Sequence, residues 1–155
     1  MMTMVILSMA VAIGGLLGGM VWKREVPVSI SALAMDSGWL WTPWLWAVTF
    51  LLAPPLMTVL AGAWKAVGLA MLTCLLLTGA MPLFDAEHSK WHYVCAVAAG
   101  VLSQVCVAVI NPWWLMTWAA APILKIIDSN TKVLKNKWVL ILETLCATTM
   151  YGALI

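Results

Sequence analysis

The sequence predicts an all-α, polytopic transmembrane helix bundle of about six spans with both termini on the non-cytoplasmic side. Three observations support this prediction: the apolar composition, the length of the apolar segments and the placement of the cationic residues. Of the 155 residues, 65% are hydrophobic and 9% are charged, whereas soluble domains average about 45–50% apolar and about 25% charged residues. Too few charged side chains are therefore present to cover a surface that faces water.

Six apolar segments account for nearly the whole chain. A helical span needs roughly 20 apolar residues, and only helices or closed barrels satisfy the backbone hydrogen bonds inside lipid. The segments are too long and too uniformly apolar for barrel strands, which alternate. We therefore expect one membrane domain, residues 1–155, with spans at about 1–22, 39–61, 64–84, 90–110, 112–127 and 138–155. Pro54 and Pro55 should kink or break the second span.

The cationic residues predict the orientation of this domain. Loops one, three and five hold seven lysine and arginine residues, and the opposite side holds only Lys65. Lysine and arginine concentrate in cytoplasmic loops, so we expect these three loops inside and both termini outside. The cluster Lys132, Lys135 and Lys137 is too short to indicate nucleic-acid binding, and it is better interpreted as a topology and lipid-headgroup signal.

Both histidines of the chain lie where the third segment joins the fourth. If the fourth helix starts near Ala86, His88 and His92 sit one turn apart on one face. Two imidazoles at this spacing can bind one metal ion, Asp85 can add an oxygen ligand, and zinc accepts such a set. The alternative is a short polar loop whose acidic residues cap the helix, with both histidines at the lipid interface.

Glu143 is the one carboxylate well inside a predicted span. It lies roughly 8 Å from the cytoplasmic end of the sixth segment at 1.5 Å per residue, a depth compatible with His92 or His88 as a partner. We interpret Glu143 and His92 as candidate catalytic residues, because ionisable groups within spans often mark function. The alternative for Glu143 is a structural hydrogen bond to Gln104, Ser103 or a threonine.

Three further polar residues are candidates for ligand binding. Ser29 and Ser31 lie in the first loop, on the same side as the histidines, where they line an entrance or cap a short interfacial helix. Gln104 lies near the middle of the fourth segment, where it contacts a ligand or bridges helices through hydrogen bonds.

Two glycine pairs in the first segment have the GxxxG spacing that favours close helix packing. They are Gly14 with Gly18 and Gly15 with Gly19.

Two stretches resemble known membrane proteins. The pattern Pro-x-Ser-Ile-Ser-x-Leu, from Pro27 to Leu33, resembles the first loop of small bacterial six-span proteins of the domain-of-unknown-function 998 (DUF998) type, related to the Frag1/DRAM/Sfk1 group. Asp85 with His92 and Ala96 forms an Asp-x6-His-x3-Ala pattern that is similar to that group and, more distantly, to the alkaline ceramidases and progestin/adiponectin receptors.

The more distant resemblance implies that Asp85 and His92 are site residues, since a serine, an aspartate and histidines surround a zinc ion in that superfamily. This chain differs in having six spans rather than seven, and it offers only Glu143 on the last span. The Frag1-like group also places its first loop outside the cytoplasm, whereas the lysine distribution here places it inside. We expect an integral protein of the bacterial inner, or cytoplasmic, membrane.

Three functions remain open at the level of the sequence. The first in rank is a non-enzymatic membrane protein that binds a lipid or small amphiphile or supports a larger complex, as a homo-oligomer or with other chains. The second is a metal-dependent hydrolase of a lipid amide or ester, with zinc as the candidate cofactor. The third is a small transporter or channel lined by Glu143, Gln104 and the histidines.

Overall fold

The computed structural model describes residues 1–24, 26–27, 29–30, 40–80, 89–131 and 137–155. All secondary structure in these ranges is helical, which confirms the predicted all-α class. The elements are α1 (Met2–Lys23), α2 (Trp41–Val59), α3 (Trp64–Ala80), α4 (Ser89–Ile110), a 3₁₀ helix (Pro112–Ala119), α5 (Ala120–Thr131) and α6 (Trp138–Leu154).

Three of these helices are long and apolar enough to cross a membrane: α1, α2 and α4. Helices α3 and α6 are also apolar but shorter, with 17 residues each. This length and composition are consistent with an integral membrane protein, as the sequence predicts.

Five of the helices form a closed ring. Helix α1 packs on α2, α2 on α3, α3 on α4, α4 on α6, and α6 on α1. The 3₁₀ helix packs against both α4 and α6, and α5 contacts the 3₁₀ helix. The chain therefore encloses a core between helices that are distant in sequence.

The core lies at the end of the ring that holds both chain termini. Its buried members come from the beginning of α1, the end of α2, the middle of α3, and the ends of α4 and α6, and they include Val5, Leu56, Met71, Val107 and Leu154. The alternating direction of successive helices brings these portions to one level.

A buried polar pair fastens the two ends of the chain together within this core. The Ser8 hydroxyl donates to the carbonyl oxygen of Val48 at 3.0 Å, and the Ser8 and Tyr151 hydroxyl oxygens lie 2.8 Å apart. Ser8 has only one hydroxyl hydrogen, so Tyr151 is the donor to Ser8. These two bonds join α1, α2 and α6.

Helix α2 runs without interruption through Pro54 and Pro55 to Val59. The two prolines therefore do not break it. Pro55 is buried, and Leu60 caps the helix by donating its backbone N–H to Leu56 at 3.1 Å. Packing of α2 against α1 and α3 holds the helix together where proline removes backbone donors.

The fifth apolar segment forms two elements rather than one helix. Asn111 is extended, Pro112 begins the 3₁₀ helix, and α5 continues from Ala120 to Thr131, beyond the predicted end at residue 127. A 3₁₀ helix of eight residues is unusually long. It lies against α6 where Gly152 leaves room for the Trp114 ring, since a Cβ on Gly152 would lie 2.5 Å from that ring.

Gly15 of α1 lies against a neighbouring helix, whereas Gly14 and Gly18 do not. A Cβ on Gly15 would lie 1.8 Å from Nε1 of Trp44, and the Trp44 indole donates to the carbonyl oxygen of Val11 at 2.8 Å. A Cβ on Gly14 or Gly18 would meet nothing within 4 Å. Close helix packing is thus realised at Gly15, against α2.

We expect Gly15→Ala to destabilise the bundle by about 1–3 kcal/mol, because the added methyl group displaces a large, hydrogen-bonded ring from a packed interface. The measurement is reversible unfolding in detergent. Gly14→Ala is the matched control, since it makes the same change one residue away in open space, where alanine is the better helix former. Equal destabilisation by both variants would contradict the packing of α1 on α2.

Candidate functional site

The end of the bundle opposite the termini carries most of the positive charge. Nζ of Lys125 lies 4.7 Å from the centroid of the Trp138 ring, at the first residue of α6. Nζ of Lys137 donates to the carbonyl oxygen of Val26 at 3.1 Å, just after α1. Of the six cationic residues in the described ranges, only Lys65 lies at the other end. We call the first of these ends the cationic end; its described cations are Lys23, Arg24, Lys90, Lys125 and Lys137.

His92 caps the last turn of α3 at the cationic end. Its Nδ1 lies 3.0 Å from the carbonyl oxygen of Thr78. The hydroxyl of Thr42 donates to the next carbonyl, that of Gly79, at 2.6 Å. The last four carbonyls of a helix have no partner within the helix, so side chains from α4 and α2 supply the missing donors.

A carbonyl oxygen can only accept, so Nδ1 of His92 must carry the hydrogen in this contact. In the neutral ring, Nε2 then carries a lone pair. The His92 side chain is 1% exposed, and Nε2 has no hydrogen-bond partner among the residues described. The geometry therefore leaves one basic nitrogen buried and available.

Glu143 ties α6 to the first loop. Its Oε2 accepts the backbone N–H of Ile30 at 2.5 Å. The neighbouring Ser29 is buried. Lys137 makes the second attachment, to Val26, six residues before Glu143 along the chain. The carboxylate thus satisfies a backbone donor of the first loop.

The structure does not bring Glu143 and His92 into hydrogen-bond contact in the ranges it describes. Gln104 pairs with Thr149, and Gly100 faces Cys146, so α4 and α6 run side by side in the same direction. In this register Glu143 is level with about Val97. His92 lies five residues closer to the cationic end, or about 8 Å at 1.5 Å per residue.

Asp85, His88 and Ser31 lie outside the described residues. Within the part of the chain that is described, no three His, Cys, Asp or Glu side chains converge on a possible metal position. The described residues therefore do not supply a zinc site by themselves, and no catalytic step through a metal follows from them. The metal hypothesis for Asp85, His88 and His92 remains a prediction.

Gln104 is the centre of a hydrogen-bond network in the middle of α4. Its Oε1 accepts from Nε1 of Trp118 at 2.8 Å and lies 3.0 Å from the Thr149 hydroxyl, while its Nε2 donates to Ser103 at 2.9 Å. The side chain thus links α4, α6 and the 3₁₀ helix, which corresponds to the helix-bridging alternative. Trp118 was not among the residues predicted from sequence, although an indole N–H in an apolar segment requires an acceptor.

A shallow apolar groove runs along the outer face of α4, and every residue that lines it belongs to that helix. It is largely open to the surroundings, and four of its residues are more than half exposed: Tyr93, Val94, Val97 and Val101. It begins one residue after His92, and the Tyr93 ring packs edge-on against the His92 ring with centroids 5.7 Å apart. The lining residues are Tyr93, Val94, Val97, Ala98, Val101 and Leu102.

Comparison of this chain with family models, curated proteins and solved structures finds no match. The resemblances carried by the Pro27–Leu33 and Asp85–Ala96 patterns therefore stay predictions, and the function has to be argued from the site itself.

We expect His92→Ala to destabilise the protein by about 1–3 kcal/mol, because the buried carbonyl of Thr78 loses its donor. His92→Asn should recover much of this loss, since its Nδ2 branches from Cγ as Nδ1 of histidine does. Unfolding in detergent measures both variants. If Asn is as destabilising as Ala, the contact with Thr78 is not what stabilises this end of α3.

A second prediction concerns the attachment of the first loop to α6. Ser29→Cys should react slowly with a maleimide in the otherwise unchanged protein, because residue 29 is buried. Adding Glu143→Ala should accelerate labelling, since the loop loses the acceptor for its Ile30 N–H. Glu143→Gln, which keeps an oxygen acceptor, is the control. Unchanged labelling in the alanine variant would show that Glu143 does not hold the loop.

Proposed function

We propose that this chain is a six-span membrane protein that binds a lipid or a similar amphiphile in the cytoplasmic leaflet, along the outer face of α4. The single observation that carries the proposal is the apolar groove from Tyr93 to Leu102, which opens beside the cationic end.

The lengths of the elements support six crossings. Helices α3 and α6, at 17 residues, reach about 25 Å, and 17 residues is the lower limit of typical spans. The 3₁₀ helix and α5 together reach about 34 Å if they lie in line. Such a length is sufficient to return the chain from the end of α4 to the start of α6.

The charge distribution supports termini outside the cytoplasm. Both termini lie at the end opposite the described cations other than Lys65. Because the cytoplasmic side of a membrane protein carries the excess of lysine and arginine, the cationic end faces the cytoplasm.

The length of the groove fits an acyl chain. From Tyr93 to Leu102 it extends about 14 Å along the helix axis, which is close to half of a hydrocarbon core of about 30 Å. A chain lying in it would therefore span one leaflet. Three of its lining residues are β-branched valines, and such side chains have few rotamers, so binding of an acyl chain restricts few side-chain motions.

The residues at the mouth fit a lipid headgroup. Lys90 and Trp91 are exposed one turn before the groove, and Tyr93 is 56% exposed within it. Tyrosine and tryptophan favour the headgroup level, and lysine attracts anionic headgroups. A second protein helix fits the groove less well, because helix contacts in membranes favour small residues, and Ala98 is the only small residue among those that line the groove.

We expect a phospholipid with a photoreactive acyl chain to label α4 preferentially between residues 93 and 102, when the protein is held in nanodiscs with anionic lipid. Val97→Trp should reduce this labelling several-fold, because the indole fills the middle of the groove. Peptide mass spectrometry locates and quantifies the labelled sites.

Val109→Trp is the matched control, since it changes another exposed valine of α4 beyond the groove. Specific binding would be refuted if labelling were spread over all exposed helices in proportion to their surface and if Val97→Trp left the labelling unchanged.

A further inference from the structure

Two buried polar side-chain atoms in the described ranges have no hydrogen-bond partner: Nε1 of Trp41 and Nε2 of His92. The two side chains are 4% and 1% exposed. Leaving a buried donor or acceptor unpaired costs about 1–3 kcal/mol, and most buried polar groups in proteins are paired. Two such atoms in one small bundle therefore indicate a missing partner.

The two atoms have opposite hydrogen-bonding roles. The indole nitrogen of Trp41 can only donate. Nε2 of His92 accepts when the ring is neutral, because Nδ1 uses its hydrogen on the carbonyl oxygen of Thr78. A partner for both must therefore accept one hydrogen bond and donate another.

Both side chains belong to the same end of α3. His92 binds the carbonyl of Thr78, and Thr42, the neighbour of Trp41, binds the carbonyl of Gly79. Leu45, one turn after Trp41 and packed with it, lies 3.4 Å from the position of a Cβ on Gly79. The donor thus comes from α2 and the acceptor from α4, and both helices form hydrogen bonds with adjacent carbonyls at this end of α3.

We propose that Trp41 and His92 together bind a single hydroxyl group at the cationic end of α3. A hydroxyl oxygen accepts the indole N–H and donates its own hydrogen to Nε2. A carboxylate could not donate to His92, an ammonium group could not accept from Trp41, and a metal ion on Nε2 would leave the indole unpaired.

Two sources outside the chain can supply this hydroxyl: a trapped water molecule or an alcohol-headed lipid. The contact between His92 and Tyr93 connects the position to the mouth of the α4 groove. The lipid source rests on the proposed lipid-binding function, whereas the water source does not. Photolabelling of the groove tests that function separately, so the two ideas can fail independently.

Nitrogen-15 NMR of the full chain tests the proposal, with the Trp41 indole assigned by its loss in Trp41→Phe. In the wild type, the Trp41 indole proton should have the downfield shift of a bonded indole, with Trp118, bonded to Gln104, as the internal reference. His92→Asn should move the Trp41 signal upfield, since it keeps the contact with Thr78 but removes Nε2.

The samples distinguish the two sources. The first sample is delipidated protein in detergent. Exchange between the Trp41 indole proton and water in this sample identifies a bound water molecule. The other two samples are phosphatidylcholine nanodiscs with added diacylglycerol and with its acetylated derivative. A downfield shift of the Trp41 indole proton that appears only with diacylglycerol identifies a lipid hydroxyl.

An upfield, unbonded Trp41 indole in all three samples would overturn the proposal, as would a bonded signal that His92→Asn leaves unchanged. If His92→Asn does not fold, the Nε2 nitrogen shift of the labelled wild type decides. The proposal requires that the chemical shift of this nitrogen shows an accepted hydrogen bond in the same sample in which the Trp41 indole is hydrogen-bonded.

Discussion

The structure depends on pairing its hydrogen-bonding groups internally, because the surface around it is apolar. Exposed side chains along α1 and α4 are mainly aliphatic or aromatic, and lipid offers such a surface no hydrogen bonds. Polar side chains are therefore placed where the backbone lacks partners. Thr42 and His92 cap the end of α3, and Glu143 receives the N–H of Ile30. Each of these contacts joins two different elements of the bundle.

The same constraint explains how the fifth segment is held. A 3₁₀ helix of eight residues has weaker backbone geometry than an α-helix, and here it also packs against two helices. Gln104 accepts the indole N–H of Trp118. Gly152 makes space for Trp114. One hydrogen bond from α4 and one missing side chain in α6 thus fix a segment whose own geometry provides little stability.

Against this background of paired groups, the cationic end is different. Two buried nitrogens there are unpaired in the described part of the chain, and an apolar groove opens beside them with a lysine and two aromatic residues at its mouth. Such an arrangement combines an apolar surface, suited to an acyl chain, with polar atoms suited to a headgroup. The proposed binding of an amphiphile uses both features. His92 and Glu143 form hydrogen bonds with different elements, namely the end of α3 and the first loop.

The sequence by itself determined the helical class, the approximate limits of the apolar segments and the concentration of positive charge at one end, because composition and spacing carry these properties directly. It also singled out His92, Glu143, Ser29 and Gln104 as unusual polar residues in apolar surroundings. Only the tertiary structure decided their partners, since Thr78, Ile30 and Trp118 reach them through packing between separate elements. For the same reason, Gly15 rather than Gly14 contacts α2, and the fifth segment divides into two elements. These outcomes depend on which helix lies beside which, and local sequence spacing does not encode that choice.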